Sequence, residues 1–223
     1  MKTIVKNKFN YSKFFIVLLI LYIIGFLIYN IFQLPIRHIK IINNNILKDK
    51  DILSESKLDN YPSFLLTTDS NIKNNLKNNP YLKDIEITRS WFCNLTLNIS
   101  EYKVLFYDNL KGQVVLENYK LLDDKQFNLP ILINDVPETI YNTLIDEMVK
   151  VREDILRVIS EIEYQPNEID KERFVLTMND GNYVYLTLYT FSKINKYDEI
   201  VTTIEGKKGI LYLDSGNYFE IID

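Results

Sequence analysis

Apolar and polar positions segregate along this chain before they alternate. Residues 14 to 32 read FFIVLLILYIIGFLIYNIF, with Asn30 the only strongly polar position. At ~1.5 Å per residue a helix over this run reaches roughly 28 Å, close to the ~30 Å hydrocarbon core of a bilayer. Apolar side chains would surround it, leaving no polar face for water. The run exceeds the roughly 7–15 apolar residues of a cleavable signal, and QLPIRHIK follows it without the small residues of a cleavage site. The pattern predicts an uncleaved membrane-spanning helix over 14–35, preceded by an arm of residues 1–13.

Shorter patterns follow. IRHIKII is a β-branched run that predicts a strand, and Asn43, Asn44 and Asn45 predict a turn. Asp49 or Asp51 is expected to cap a short helix that turns Ile52, Leu53 and Leu58 inward. Thr68 or Asp69 is expected to cap a second, with Ile72 and Leu76 one turn apart, stopped by Asn78-Asn79-Pro80 because proline disfavours helical geometry just before itself. Apolar and polar residues alternate in Ile85–Arg89 and again in Leu95–Ile99, which predicts two strands with one buried face each. Residues 36–101 therefore read as a small β-α-α-β-β domain.

From Tyr102 the pattern is mostly strands. VLFYD, QVVLEN and KLLD come first, with Lys111-Gly112 as a turn, and residues 127 to 137 with their two prolines read as extended linker or edge. Ile140, Leu144, Met148, Val151, Ile155 and Ile159 form one apolar stripe at helical spacing and predict a helix from about Pro137 to Ser160. FVLTM, the turn Asn179–Asn182 and YVYLTLY predict a hairpin. A short helix around Ser192–Thr203 would bury Ile194, Tyr197 and Ile200 or Val201. GILYLD, a turn at Asp214-Ser215-Gly216 and NYFEII close the chain. The fold class expected is α+β: one N-terminal transmembrane helix, a β-α-α-β-β domain over 36–101, and a mostly antiparallel β-domain with helices over 102–223.

Charge adds an orientation. Lys2, Lys6, Lys8 and Lys13 make the arm +4, so the whole chain's −4 leaves −8 for residues 37–223. Positive charge at the near end of a first helix favours keeping that end in the cytoplasm. These four lysines are thus a topology signal, and residues 37–223 are expected outside the plasma membrane, with no second span. An acidic bulk argues against nucleic acid as a partner, because that affinity comes from neutralised phosphates. High apolar and aromatic content argues against disorder.

Candidate chemistry is sparse. The single cysteine, Cys93, permits no intramolecular disulfide and no cysteine-based zinc site. The single histidine, His38, follows the apolar run within a few residues. None of the six glycines falls in a phosphate-cradling spacing, Gly206-Lys207-Lys208-Gly209 being only an echo of one. Asp123, Asp124 and Asp180 lie at expected turns, where acids serve the backbone. Asn94-Leu95-Thr96 and Asn98-Ile99-Ser100 match a glycosylation sequon inside an expected strand. No positioned base, nucleophile or metal set emerges, so the reading is a non-enzymatic protein without cofactor, metal or small-molecule substrate. Two other classes share parts of the pattern: a component of protein export or outer-membrane assembly, which would carry several such small modules or a barrel, and a membrane-anchored extracellular enzyme.

Several segments resemble one family in order and spacing. Ile39-Lys40-Ile41-Ile42-Asn43-Asn44 is similar to a first strand ending V-x-G-N, with Asn43 where glycine is preferred. Asn79-Pro80-Tyr81-Leu82-Lys83-Asp84-Ile85-Glu86-Ile87-Thr88-Arg89 is similar to N-P-x-I-K-x-A-x-V-x-R. Arg89 to Glu101 is similar to R-x-x-P-x-T-L-x-I-x-V-x-E; Leu95, Leu97, Ile99 and Glu101 fit, while Phe92 replaces the proline and Asn94 the threonine. Gly209–Leu213 with Asp214-Ser215-Gly216 is similar to a closing G-x-x-D-L-R-x-x-G. The chain thereby resembles FtsQ/DivIB, a family of bitopic bacterial cell-division proteins. The resemblance implies a POTRA domain at 36–101, the family's β-domain after it, a place at the division septum, and a scaffold role. That role is to link early and late division proteins, hold FtsL-like and FtsB/DivIC-like partners, and help control septal peptidoglycan synthesis. It implies also that partner chains add a strand to the C-terminal edge, here Tyr212, Leu213, Ser215, Asn217, Tyr218, Phe219 and Ile221.

Overall fold

The computed structural model describes residues 11–124, 128–204 and 206–222. Lys2, Lys6, Lys8 and Phe127 lie outside the described residues. The chain falls into two compact units divided between Glu101 and Tyr102.

The first unit opens with helix α1 (Tyr11–Phe32), 22 residues with none buried. Among the described residues it is the one helix long and apolar enough to cross a membrane. Then come β1 (His38–Ile42), α2 (Asp49–Glu55), α3 (Asp69–Leu76), β2 (Leu82–Ser90) and β3 (Asn94–Glu101). The strands form one sheet ordered β1-β3-β2, with β3 parallel to β1 and antiparallel to β2. Alternation does what period two requires: Leu95, Leu97 and Ile99 all point into a core with Ile36, Ile52, Leu58, Ile72, Leu76 and Ile85. Asn43 takes a left-handed φ of 63°, which suits asparagine. The Glu101 carboxylate accepts the amides of Asn45, Ile46 and Leu47 at 3.0, 2.8 and 2.8 Å and ties the end of β3 to the turn after β1. Thr68 caps α3 by accepting the Asn71 amide. The cap expected on α2 differs. Lys48 occupies that position without a side-chain bond, and Asp49 and Asp51 sit in the first turn. Asp49 accepts from the Asn44 side chain at 2.7 Å instead, and both acids still face the positive end of the helix.

The second unit contains β4 (Val104–Asp108), β5 (Gln113–Leu116), β6 (Leu121–Leu122), β7 (Ile131–Leu132), α4 (Glu138–Val149), α5 (Glu153–Leu156), β8 (Ile159–Tyr164), β9 (Arg173–Met178) and β10 (Tyr183–Thr187). A 3-10 helix (Leu188–Lys196), α6 (Tyr197–Thr203), β11 (Gly209–Tyr212) and β12 (Tyr218–Ile221) complete it. Nine strands join in the order β12-β11-β10-β9-β8-β7-β4-β5-β6. Most pairings are antiparallel; β10–β11, β4–β7 and β7–β8 are parallel. The architecture is the expected α+β class. One face carries Leu132, Ile162, Phe174, Leu176, Val184, Leu186, Leu211 and Leu213 into a core closed by Leu144, Met148, Ile155, Phe191, Ile194 and Tyr197 from the helices.

Three local expectations change. The segment read as linker or edge contains β7, an interior strand parallel to β4 on one side and β8 on the other. It is only two residues long, so no alternation could show it, and its prolines lie outside the pair, Pro137 at the start of α4. The helix expected from 137 to 160 is α4, a break, α5 and then β8. The stripe still points inward, with Leu144, Met148, Val151, Ile155 and Ile159 buried and Ile140 packed on the core. The break is sealed from afar. Asn195 accepts the Arg152 amide at 2.7 Å and donates to the Lys150 carbonyl at 2.9 Å, and the Lys103 ammonium donates to the carbonyls of Val149 and Val151. Burial there pushes the Lys103 ammonium below its usual range, against the pull of Glu153 and Glu117. Finally, YVYLTLY leaves the sheet at Thr187, where Thr187 and Thr190 form a capping box that turns the chain into the 3-10 helix.

Candidate partner-binding edge

β12 is the outermost strand at one end of the nine-stranded sheet. Among the described residues only β11 pairs with it, so one row of its backbone donors and acceptors faces outward. The Ile222 amide donates to the Lys208 carbonyl at 3.0 Å. Antiparallel bonding alternates, so the amides of Glu220 and Tyr218 also turn toward β11, while those of Phe219 and Ile221 turn to the free side.

The edge is held in place by four features. Gly209 is one: a Cβ there would lie 2.0 Å from the Glu220 carbonyl oxygen, so only glycine lets β11 and β12 approach this closely. Its amide donates to the buried Asn182 side chain at 2.9 Å. Asn182 in turn donates to Asp180, whose carboxylate also accepts the Tyr197 hydroxyl at 2.8 Å. Burial first, and the Asp180 carboxylate second, push the Tyr197 phenol above its usual range, although Asn182 opposes them. Asp180 is thereby a backbone-positioning residue of the hairpin. Next, the register aligns Tyr185, Tyr212 and Tyr218 on neighbouring strands. Their rings stack with centroids 5.4 and 4.6 Å apart and planes at 11° and 17°. The Arg173 guanidinium lies 4.1 Å from the Tyr185 centroid and extends the stack. Lastly, Arg173 Nε donates to Asp214 at 2.8 Å, with both side chains largely buried. Burial would raise the Asp214 carboxyl, but Arg173 and Ser215 hold it below the usual carboxylate range.

The proposed edge residues do not share one environment. Leu213 is 2% exposed and belongs to the core. Phe219 packs partly on that core. Tyr212 is half-buried in the ring stack, and the nearby Glu220 carboxylate pushes its phenol up. Ser215 turns its hydroxyl onto Asp214, and Asn217 accepts from Lys193 at 3.2 Å. Tyr218 and Ile221 are each 51% exposed and are the open part of the edge. Sequence reasoning singled out neither Tyr185 nor Arg173, and it placed Gly209 only in a weak phosphate-loop echo and the closing family segment, not in the spacing of two strands. Alternation in YVYLTLY and GILYLD places both tyrosines opposite the core leucines; the register that stacks them is a long-range property. Lys13 lies in α1, His38 opens β1, and Cys93 lies at the β2–β3 turn just before Asn94, the strand partner of His38. Among the described residues no three His, Cys, Asp or Glu side chains come together to hold a metal ion.

A helix of membrane-spanning length, a β-α-α-β-β domain and a mixed nine-stranded sheet with an open terminal strand define a two-domain α+β protein of the POTRA type. Residues 34–102 match the family described as POTRA domain, FtsQ-type. The chain is 30% identical over 224 residues to the cell division protein DivIB of Bacillus anthracis, covering 96% of this chain and 84% of that one. It is 29% identical to DivIB of Bacillus cytotoxicus, covering 98% and 89%. The solved major extracytoplasmic domain of DivIB from Geobacillus stearothermophilus aligns with 48% of this chain and 96% of that one at 23% identity and TM-score 0.40. The chain belongs to the DivIB family of cell-division proteins.

Proposed function

We propose that this division protein is a non-enzymatic scaffold that joins early and late division proteins at the septum and helps control septal peptidoglycan synthesis. Helix α1 spans the plasma membrane with the lysine-rich arm in the cytoplasm and residues 36–223 outside, as POTRA domain (36–101) and β-domain (102–223). FtsL-like and FtsB/DivIC-like chains are its partners, and one of them adds a strand to β12. The open backbone row of β12 carries this reading. Unpaired donors and acceptors supply affinity, and the side chains alternating along an added strand supply specificity. The exposed Tyr218 and Ile221 and the stacked Tyr212 suit an interface with aromatic anchors.

The outward amides give a discriminating test. Ile221→Pro removes a donor from the free side only, whereas Glu220→Pro removes one that β11 uses. Ile221→Pro is expected to abolish capture of the FtsL-like and FtsB/DivIC-like ectodomains while leaving the thermal transition in place. Normal capture by the folded Ile221→Pro protein would overturn strand addition at β12. In dividing cells a fluorescent fusion is expected at midcell, and an even spread through the membrane would overturn the septal reading.

A further inference from the structure

The first unit carries exposed apolar side chains where the chain leaves α1. Trp91 and Phe92 at the tip of the β2–β3 hairpin are 89% and 78% exposed, and Leu34, Leu65 and Leu66 are exposed with them. Hydrogen bonds gather these segments at one end of the domain. The Ser63 hydroxyl donates to the carbonyl of Phe32, the last residue of α1, at 2.6 Å. The Phe64 amide donates to the Leu34 carbonyl at 2.9 Å, and the Arg37 amide to the Cys93 carbonyl at 2.9 Å. Arg89, two positions before Trp91, donates to the carbonyls of Phe64 and Thr67 and to Asp69, so the Leu65-Leu66 turn is bound to the hairpin. At the tip Phe92 and Cys93 both take left-handed φ, 67° and 61°. Glycine or asparagine would do so with less strain, yet the position holds a large apolar side chain.

Chain length says what faces this end. The 22 residues of α1 span roughly 33 Å at ~1.5 Å each, the full hydrocarbon thickness. Only Gln33, Leu34 and Pro35 separate Phe32 from Ile36, which is already buried in the domain core. The headgroup zone is only ~5–8 Å deep on each side of the hydrocarbon. A domain bonded directly to the last carbonyl of the helix has its near end inside that zone. Tryptophan and other amphipathic or apolar side chains are stable there, and the exposed Arg37 and His38 beside them can meet lipid phosphates. Elsewhere in the chain such a patch would be a liability in water.

We propose that Trp91, Phe92, Leu65 and Leu66 insert into the headgroup–acyl boundary of the membrane that α1 crosses, a second membrane contact that holds the POTRA domain in one orientation on the bilayer. This rests on α1 spanning the membrane. Trp91 is the chain's one tryptophan, so its fluorescence reports this site alone. The test is the full chain reconstituted in vesicles of phosphatidylethanolamine and phosphatidylglycerol, with acyl chains brominated near the headgroup as quencher. Expected are a blue-shifted Trp91 emission, strong quenching by the bromolipid and weak quenching by aqueous acrylamide. Phe92→Asp with Leu66→Asp, both at exposed positions, is expected to return the emission to the red and lose the bromolipid quenching. If the chain floats with the vesicles but Trp91 emits like free tryptophan and is open to acrylamide, the docking is wrong and the span stands. Blue-shifted emission that bromolipid does not quench means a protein covers Trp91, and also overturns it. A chain that does not float with the vesicles refutes the span itself.

Discussion

Buried charge in the β-domain is held by few, nameable partners. Asp108 is 3% exposed and accepts the Tyr141 hydroxyl at 2.8 Å and the amides of Leu110 and Lys111 at 3.1 and 3.0 Å. Burial first, then Asp108, push the Tyr141 phenol well above its usual range, so it stays a donor at every physiological pH. Asp108→Ala strands three donors and is expected to cost about 1–3 kcal/mol in chemical denaturation, whereas Tyr141→Phe leaves the two amides bonded and should cost about 1 kcal/mol. Asp214 gives a pH dependence. Its folded carboxyl is depressed by Arg173 and Ser215 against the effect of burial. Its contribution is therefore present above the unfolded value of about 3.9 and lost as pH falls through the lower folded value. Acid titration of stability should be shallower in Asp214→Asn than in the native chain over that window.

Elements are stabilised by neighbours remote in sequence. The β11–β12 hairpin closes only because position 209 has no side chain. Gly209→Ala must push the two strands apart and is expected to destabilise by about 1–3 kcal/mol, with loss of partner capture even where the domain stays folded. The break between α4 and α5 depends on Asn195 and Lys103. Asn195→Ala leaves the Arg152 amide and the Lys150 carbonyl without that partner, and its expected cost of about 1 kcal/mol is checked by the same denaturation series. The apolar stripe was legible here because burial of one face is a local periodic property. The break was not, because Lys150, Val151 and Arg152 include no glycine or proline, and the Lys150 carbonyl and Arg152 amide are satisfied by one side chain, Asn195, 45 and 43 positions away. β7 was hidden for a related reason. A two-residue strand has no period, and it lies inside the sheet only because β4 and β8 flank it.

The whole chain divides its stability between two hydrophobic clusters that share no residue. A fragment of residues 102–222 is accordingly expected to give one cooperative thermal transition in the absence of the first unit, checked by calorimetry. Two non-coincident probes in that fragment would contradict it. The pattern of residues alone settled the anchor-length helix, the β-α-α-β-β order, the hairpin at Asn179–Asn182 and the two core faces, because each depends on a local signal: an unbroken apolar run, turn residues between two strands, or a period of 2 or 3.6 acting over a few residues. It also settled the family, through the spacing of short segments from Ile39 to Gly216. Pairing across the chain settled the rest: β7 inside the sheet, the Arg173–Tyr185–Tyr212–Tyr218 stack, Leu213 as core and Tyr218 as open edge, and the gathering of Trp91 and Leu65 at the end of α1. Those depend on register and on hydrogen bonds between segments 20 to 40 residues apart or more, and a linear pattern carries each residue's preference for burial but not the identity of the neighbour that meets it.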